Sequence, residues 1–404
     1  MPVTGPITGH GRSVTSVKNT AVARSMHDTI VIGTGGMGAA AAFHLARRGS
    51  RVLGLDRFAV GHDRGSSHGQ TRLFRTAYYE HPDYVPLLRR AHDLWRDMEG
   101  EGGQPLLVES GLVMAGPATG EVIAGSLASA REHGLAVERL TAAEAQARWP
   151  ALRVPESWAV VFEPGAGHLL VEDCVRAHAL AAMRAGADLR SGVTVHGWRI
   201  DHGRAIVETD AGSFAADRLV LCPGAWAPGL VQLPRVPLTV LRKSLFWFAP
   251  EPPLLARHAP PALPCFAFDT PTGFFYGFPA LDARGVKVAE HSGGRVATDP
   301  LTLDRAVDPD ERRRIERWLG DHLPGVGRTL TDHAACLYTM SPDHHFLLGL
   351  HPEHPQVAIA AGFSGHGFKF ASVVGEILAD LATTGRTSHP IGFLAPDRFA
   401  GHPS

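Results

Sequence analysis

Lysine is scarce in this chain: four residues, Lys18, Lys243, Lys287 and Lys369, against 35 arginines. Codon preference accounts for arginine on a surface, but it leaves each retained lysine to be explained. Cysteine is equally scarce. Cys174, Cys222, Cys265 and Cys336 form no CxxC pair and follow no secretory signal, which excludes a disulfide framework or structural zinc site and fits reduced thiols in a cytoplasm. No apolar run approaches the roughly 18 residues that cross a bilayer. Neither sign of charge prevails, with 39 basic and 40 acidic residues and a net charge of −1, so no bulk field favours nucleic acid or an anionic membrane, although a local anion site stays open. Residues 1–25 hold no acid. Their Arg12, Lys18 and Arg24 mimic a transit peptide, but the segment through residue 26 reads as a disordered tail with Met26 the natural start.

The 404 residues are 44% hydrophobic and 20% charged, which makes a folded chain of two to three domains or one two-lobed enzyme. From Thr29 the pattern is regular. A buried strand, Thr29–Ile32, runs into Gly33-Thr-Gly-Gly-Met-Gly38, an alanine-rich helix to Arg48, and a second strand ending at Asp56. This βαβ unit carries a dinucleotide fingerprint. Gly33, Gly35 and Gly38 permit a tight turn and close approach to a pyrophosphate; Gly36 and Met37 lie at the helix start, whose free N–H groups suit phosphate. Asp56 is placed to accept from ribose hydroxyls. These residues alone leave NAD and FAD both open.

Further on, helices are expected at Tyr84–Met98, Glu121–Glu132, Val171–Ala185 and Pro309–Leu323, the last with Asp308 as N-cap. Thr141-Ala-Ala-Glu144 reads as a capping box. Arg218–Cys222 and Val357–Ala361 read as buried strands that resume the first sheet, whereas residues 238–291 alternate apolar and aromatic runs with Pro and Gly, as antiparallel strands do. Gly385 is the expected stop of a last helix.

Four segments could carry chemistry. Gly65-Ser-Ser-His-Gly-Gln-Thr-Arg-Leu-Phe-Arg75 is a polar loop holding Ser66, His68, Thr71, Arg72 and Arg75; it runs past either a cofactor or solvent. In Gly362–Phe370, Gly365 and Gly367 allow close backbone approach, and His366 and Lys369 place cations near a helix start, where the dipole opposes them unless an anion binds. Cys336 is by itself equally a small buried apolar residue. On the aromatic sheet, strand alternation puts Lys287, Ala289 and His291 on one face, with Tyr276 nearby.

Together these segments resemble the monomeric sarcosine oxidase and N-methyltryptophan oxidase family of flavoenzymes, over about residues 27–390. The resemblance rests on Gly65–Arg75, Cys336-Leu-Tyr-Thr-Met-Ser-Pro-Asp343, and His351-Pro-Glu-His354 through Phe370. It implies an α/β fold, a Rossmann-type FAD-binding lobe with an antiparallel β-sheet substrate-binding lobe. The FAD lobe is expected at 27–84, 168–237 and 330–390, and the substrate lobe at 85–167 and 238–329. Cys336 is implied as the thioether attachment site of FAD, with Ser66, His68, Thr71 and Arg72 around the flavin. Arg75 and Lys369 are implied to hold a substrate carboxylate, with Tyr78 and Ala267 in the same pocket. Lys287 is implied to promote reaction with oxygen, and Tyr276, His291 and Arg72 to line the reacting centre. The implied reaction takes hydride from the carbon beside a secondary amine nitrogen, leaving an imine that water hydrolyses, with hydrogen peroxide as second product; the enzyme is expected to be monomeric.

Departures from the family pattern are expected to matter. Ser67 and Gln70 replace residues expected to steady His68, and Ala267 replaces a bulkier one, which hints at an amine larger than sarcosine. The rival readings are a tailoring oxidase of cyclic or larger amines, a dehydrogenase with a protein acceptor, and a nucleotide-binding protein without redox activity.

Overall fold

The computed structural model describes Met1 and residues 27–399; the N-terminal segment read as a disordered tail lies outside the described residues. The apolar run Thr29–Ile32 becomes the middle of a six-stranded sheet because both its faces are covered. In order the strands are Leu347–Leu350, Val357–Ala361, Arg218–Leu221, Thr29–Ile32, Val52–Asp56 and Asp188–Ser191; all pairs are parallel except the first. One face carries the helices Gly36–Arg47 and Ala371–Thr384. They approach so closely that a Cβ on Gly375 would lie 2.5 Å from the backbone of Ala40, which explains the alanine run in the first helix. The other face packs on an antiparallel three-stranded sheet of residues 195–216 through Trp198, Val207 and Leu219.

Aromatic residues at alternate positions build the second body, a nine-stranded sheet. Phe246, Phe248, Phe266, Phe268 and Phe275 face the helix Pro309–His322, where the Trp318 ring stacks 5.8 Å from Phe266. Leu245, Trp247, Tyr276, Phe278 and Cys336 face the other way. The sheet is not wholly antiparallel, since Cys265–Thr270 runs parallel to Leu112–Pro117. Residues 330–340, grouped with the FAD lobe on sequence, belong to Val326–Met340, the long strand paired with Thr239–Pro250 in this sheet.

Local signals act where they stand. Thr141 and Glu144 form the capping box, the Asp308 carboxylate accepts from the N–H groups of Asp310 and Glu311, and Gly385 ends its helix at φ +74. The Gly65–Arg75 stretch is less of a loop than its polarity implies: Thr71–Phe74 is a strand paired with Gly167–Leu170, and Arg75 is buried.

Candidate active site

A large cavity runs from the glycine turn to the inner face of the nine-stranded sheet. At the first end Gly33 has φ +84, and a Cβ there would lie 2.3 Å from the Cys222 carbonyl oxygen. Gly38 faces inward, where a Cβ would clash with the Gly33 carbonyl. Gly35 is different: the nearest protein atom to a Cβ there is Ser67 Oγ at 3.8 Å. Protein packing therefore does not demand glycine at Gly35; the missing side chain keeps the cavity clear over the helix N-terminus. That terminus has no side-chain cap and no acid in its first turn, so its N–H groups suit phosphate. Asp56 lines the cavity and already accepts from the N–H groups of Thr34 at 2.7 Å and Phe58 at 2.9 Å, which fixes its carboxylate for ribose hydroxyls. Gly36, Met37 and Ser66 line the same wall. These residues fit FAD.

The middle of the cavity is organised by Arg72. Its guanidinium donates to the carbonyls of Thr71 at 2.8 Å and Ser66 at 2.9 Å, and to Cys336 Sγ at 3.2 Å. Burial alone would push the Cys336 thiol up, but Arg72 and the neighbouring His68 outweigh it and bring the thiol down to about 6. Cys336 is thus a thiolate at neutral pH, the form that attacks an electrophilic carbon.

Lys287 lies behind the cavity lining, 1% exposed, bonded to the segment that carries Arg72. Its Nζ donates to the carbonyls of Gly69 at 2.5 Å and Thr71 at 2.8 Å and to Thr71 Oγ1 at 3.0 Å. Burial and Arg72 push its pKa well down, and Glu172 opposes them. Glu172 accepts from the N–H groups of Gly69 and Gln70, so the two side chains hold residues 69–71 from opposite ends of their dipoles. Gln70, at φ +72, turns away from His68: its amide donates to Asp282 and accepts from Trp247 Nε1. Ser67 Oγ accepts from the Gly36 N–H at 3.2 Å. Both substituted side chains are thus bonded elsewhere and neither supports His68, whose Nε2 is buried without a hydrogen-bond partner among the described residues.

At the far end the cavity meets Arg75, Lys369, Tyr276, Tyr338, His291 and Ala267. Lys369 lies in a short turn before the Ala371–Thr384 helix; its Nζ donates to the His366 carbonyl at 2.8 Å and to Tyr78 Oη at 3.3 Å. Burial and Arg75 lower it to about 7. His366 shares a 2.6 Å hydrogen bond with the Tyr78 hydroxyl and is neutral, lowered to about 4 by burial. The Tyr276 and Tyr338 phenols lie side by side in the same cluster, and Tyr338 Oη lies 3.4 Å from His291 Nδ1. A Cβ on Gly365 would strike the Tyr338 ring at 2.3 Å and one on Gly367 the Phe363 ring, so both glycines serve to seat the 362–370 turn against this cluster.

Most of the predicted residues line this cavity, but Gly38, His68, Thr71, Tyr78, Lys287 and Cys336 lie behind its lining; sequence reasoning missed Glu80 and Tyr338 and gave Lys243 no role. Glu80 is the partner of Arg75, at 2.5 Å; an acid five residues from a buried arginine was the available signal. Tyr338 was inside the segment singled out for Cys336, and alternation would have put both on one face.

The chain matches the family described as FAD dependent oxidoreductase over residues 28–381. It is 42% identical over 387 residues to a monomeric sarcosine oxidase of Streptomyces avermitilis, covering 94% of this chain and 99% of that protein. An N-methyl-L-tryptophan oxidase of Salmonella dublin is 38% identical over 366 residues, with 90% and 96% coverage. Among solved structures, NikD, an unusual amino acid oxidase essential for nikkomycin biosynthesis, superposes with a TM-score of 0.80 at 27% identity, covering 92% of this chain and 97% of that one. With the fold and cavity described, the chain belongs to the FAD dependent oxidoreductases, in the branch that holds the monomeric sarcosine oxidases and N-methyltryptophan oxidases.

Proposed function

We propose that the protein is an oxidase of N-methyl or other secondary α-amino acids, with FAD joined to Cys336 through sulfur. The observation that carries the reading is the convergence of Arg75 and Lys369, two buried cations, with the Tyr276, Tyr338 and His291 cluster at one end of a cavity whose other end suits a dinucleotide. FAD, when bound, supplies the acceptor for the hydride and passes the electrons to oxygen. Arg75 and Lys369 bind the substrate carboxylate and so orient the carbon beside nitrogen; His291, buried and lowered to about 3 by burial and the Lys243 charge, stays neutral and leaves the amine its reactive unprotonated form. The aromatic walls exclude water until the imine leaves. Lys287 supplies a buried positive charge where oxygen gains electrons.

The reading extends to a monomeric, cytoplasmic enzyme divided into the two lobes given above. The four cysteines, all free among the described residues, support a reducing compartment, and no described helix is long and apolar enough to cross a membrane. A second reading, a tailoring oxidase of a larger or cyclic amine, is favoured by Ala267, a small side chain that lines the cavity on the strand paired with Tyr276. Product analysis tests both: formaldehyde and peroxide from N-methyl amino acids support the first, and a ring imine from cyclic substrates alone replaces it with the second.

A further inference from the structure

Among the described residues, Lys243 is the one buried lysine for which the proposed reaction has no use. It lies on the strand Thr239–Pro250, directly across from Cys336 on Val326–Met340, and is 4% exposed. Its Nζ donates to three backbone carbonyls, those of His291 at 3.0 Å, Ser292 at 2.6 Å and Gly293 at 3.0 Å. All three ammonium protons are thus spent on one turn, and no carboxylate among the described residues lies within salt-bridge distance. The turn is shaped to receive them, with Gly293 at φ +63 and Gly294 at φ +117. A buried ammonium without a counter-ion is costly, and an apolar residue of the same length would fill the space at less cost. What the lysine does that an apolar residue cannot is hold the segment that leaves the strand Val286–Glu290, whose first residue is His291.

We propose that Lys243 is the positioning residue for His291: it fixes the turn from which the imidazole reaches the substrate end of the cavity and holds its ammonium on that turn. The assignment of that end to an amine substrate rests on the proposed function; the clamp itself does not. Every element packed around His291 contributes a group: Lys243 from its strand, Tyr338 and Tyr276 from theirs, His366 and Lys369 from the 362–370 turn, and Glu80 from the loop after Arg75. Lys243, His366 and Lys369 disfavour the charged ring, and Glu80 favours it. Lys243 in turn faces Glu290, Glu311, Arg314 and Cys336; burial lowers it to about 8, so it is charged at neutral pH.

The test is a titration of histidine ring signals in protein with ¹³C-labelled histidine, the His291 signal being assigned by its loss in His291→Gln. In the wild-type holoenzyme the His291 signal should stay that of a neutral ring down to about pH 5. In Lys243→Met it should titrate at least about one pH unit higher, with the His366 signal unmoved. Lys243→Gln, which keeps donors without charge, should show the same upward shift and retains the test if Lys243→Met does not fold. Titration curves for His291 that superimpose in wild type and both variants would overturn the proposal. Because the signal is read without substrate, a protein that oxidises no amine but shows the shift would refute the proposed function and leave the clamp standing.

Discussion

Arg75 and Glu80 hold each other at the substrate end of the cavity, Nη2 to Oε1 at 2.5 Å, while the second Glu80 oxygen is buried with no partner among the described residues. In the proposed function, Arg75 would meet a substrate carboxylate already engaged by Glu80, so the ligand would have to displace or share the guanidinium. Glu80→Gln removes that competition. Binding of a carboxylate inhibitor, read from the flavin absorbance, should tighten by about tenfold, near 1.4 kcal/mol, while thermal stability falls because Arg75 is left buried and unpaired. Arg75→Ala should weaken the same inhibitor by about 2–5 kcal/mol. Tighter binding in Arg75→Ala would remove Arg75 from carboxylate recognition.

The Cys336 thiol is held near 6 by Arg72 and His68 against the upward push of burial. If attachment of flavin uses the thiolate, reconstitution of apoprotein should accelerate as pH rises through about 6 and level off above it. In Arg72→Met the same curve should move up by two units or more, and Cys336→Ser should release all flavin into the supernatant on acid precipitation. Acid-stable flavin in Cys336→Ser would place the linkage elsewhere.

How much of this was legible varies with the range of the interaction. The glycine turn, the Asp308 cap and the Thr141 capping box are written in a few consecutive residues, and the structure follows them. Lysine scarcity singled out each retained lysine for explanation, and Lys243, Lys287 and Lys369 are all buried; strand alternation put Lys287 on one face with Ala289 and His291. What could not be read was where their donors go. The carbonyls of Gly69 and Thr71 lie more than 200 residues from Lys287 in the chain, and no local pattern encodes such a pairing. Glu80 escaped for the same kind of reason: the sequence gives charges but not which of them is already neutralised. The Val326–Met340 strand crosses the boundary expected between the lobes at 329/330; its first half is polar and partly exposed, so no apolar run announces it.

Three acceptor oxygens on Gly69 and Thr71 surround Lys287 Nζ and favour its ammonium form against the downward push of burial, so in the proposed function it would act on oxygen through its charge. Lys287→Met should slow the reaction of the reduced enzyme with oxygen by about 100-fold or more, roughly 2.7 kcal/mol of lost charge stabilisation. Anaerobic reduction by substrate should change only a few fold. Equal slowing of both half-reactions in stopped flow would show that the substitution merely disturbs the 69–71 segment.

Buried neutral histidines set the acid limit of the fold. His178, against Trp95 at 5.0 Å, is lowered to about 3 by burial and the neighbouring His44, itself lowered to about 4 by burial. Their folded values lie below the unfolded value near 6.5, so the unfolded chain binds protons that the native state refuses. Stability is complete above about pH 6.5 and is lost as pH falls toward 4, by up to about 1.4 kcal/mol per pH unit for each such ring. His178→Phe should flatten the decline of melting temperature between pH 6.5 and 4.5. An unchanged slope would assign the acid sensitivity to other groups.

Lys369 is lowered to about 7, first by burial and then by Arg75 at its side. Below that pH the empty site presents two cations to a carboxylate, and above it one. A bound carboxylate raises the Lys369 pKa, so binding above pH 7 takes up a proton and inhibitor affinity should fall by as much as tenfold per pH unit until the bound-state value is reached. Below about pH 7 affinity should be flat with respect to this group. Lys369→Met should be weaker at low pH and lose the decline between pH 7 and 9, converging on the wild type at the alkaline end. Calorimetry in buffers of different ionisation enthalpy counts the proton directly: about one taken up per ligand at pH 8 in the wild type and none in Lys369→Met. Equal proton uptake in both would move the titrating group away from Lys369 and leave Arg75 as the main cation of the carboxylate site.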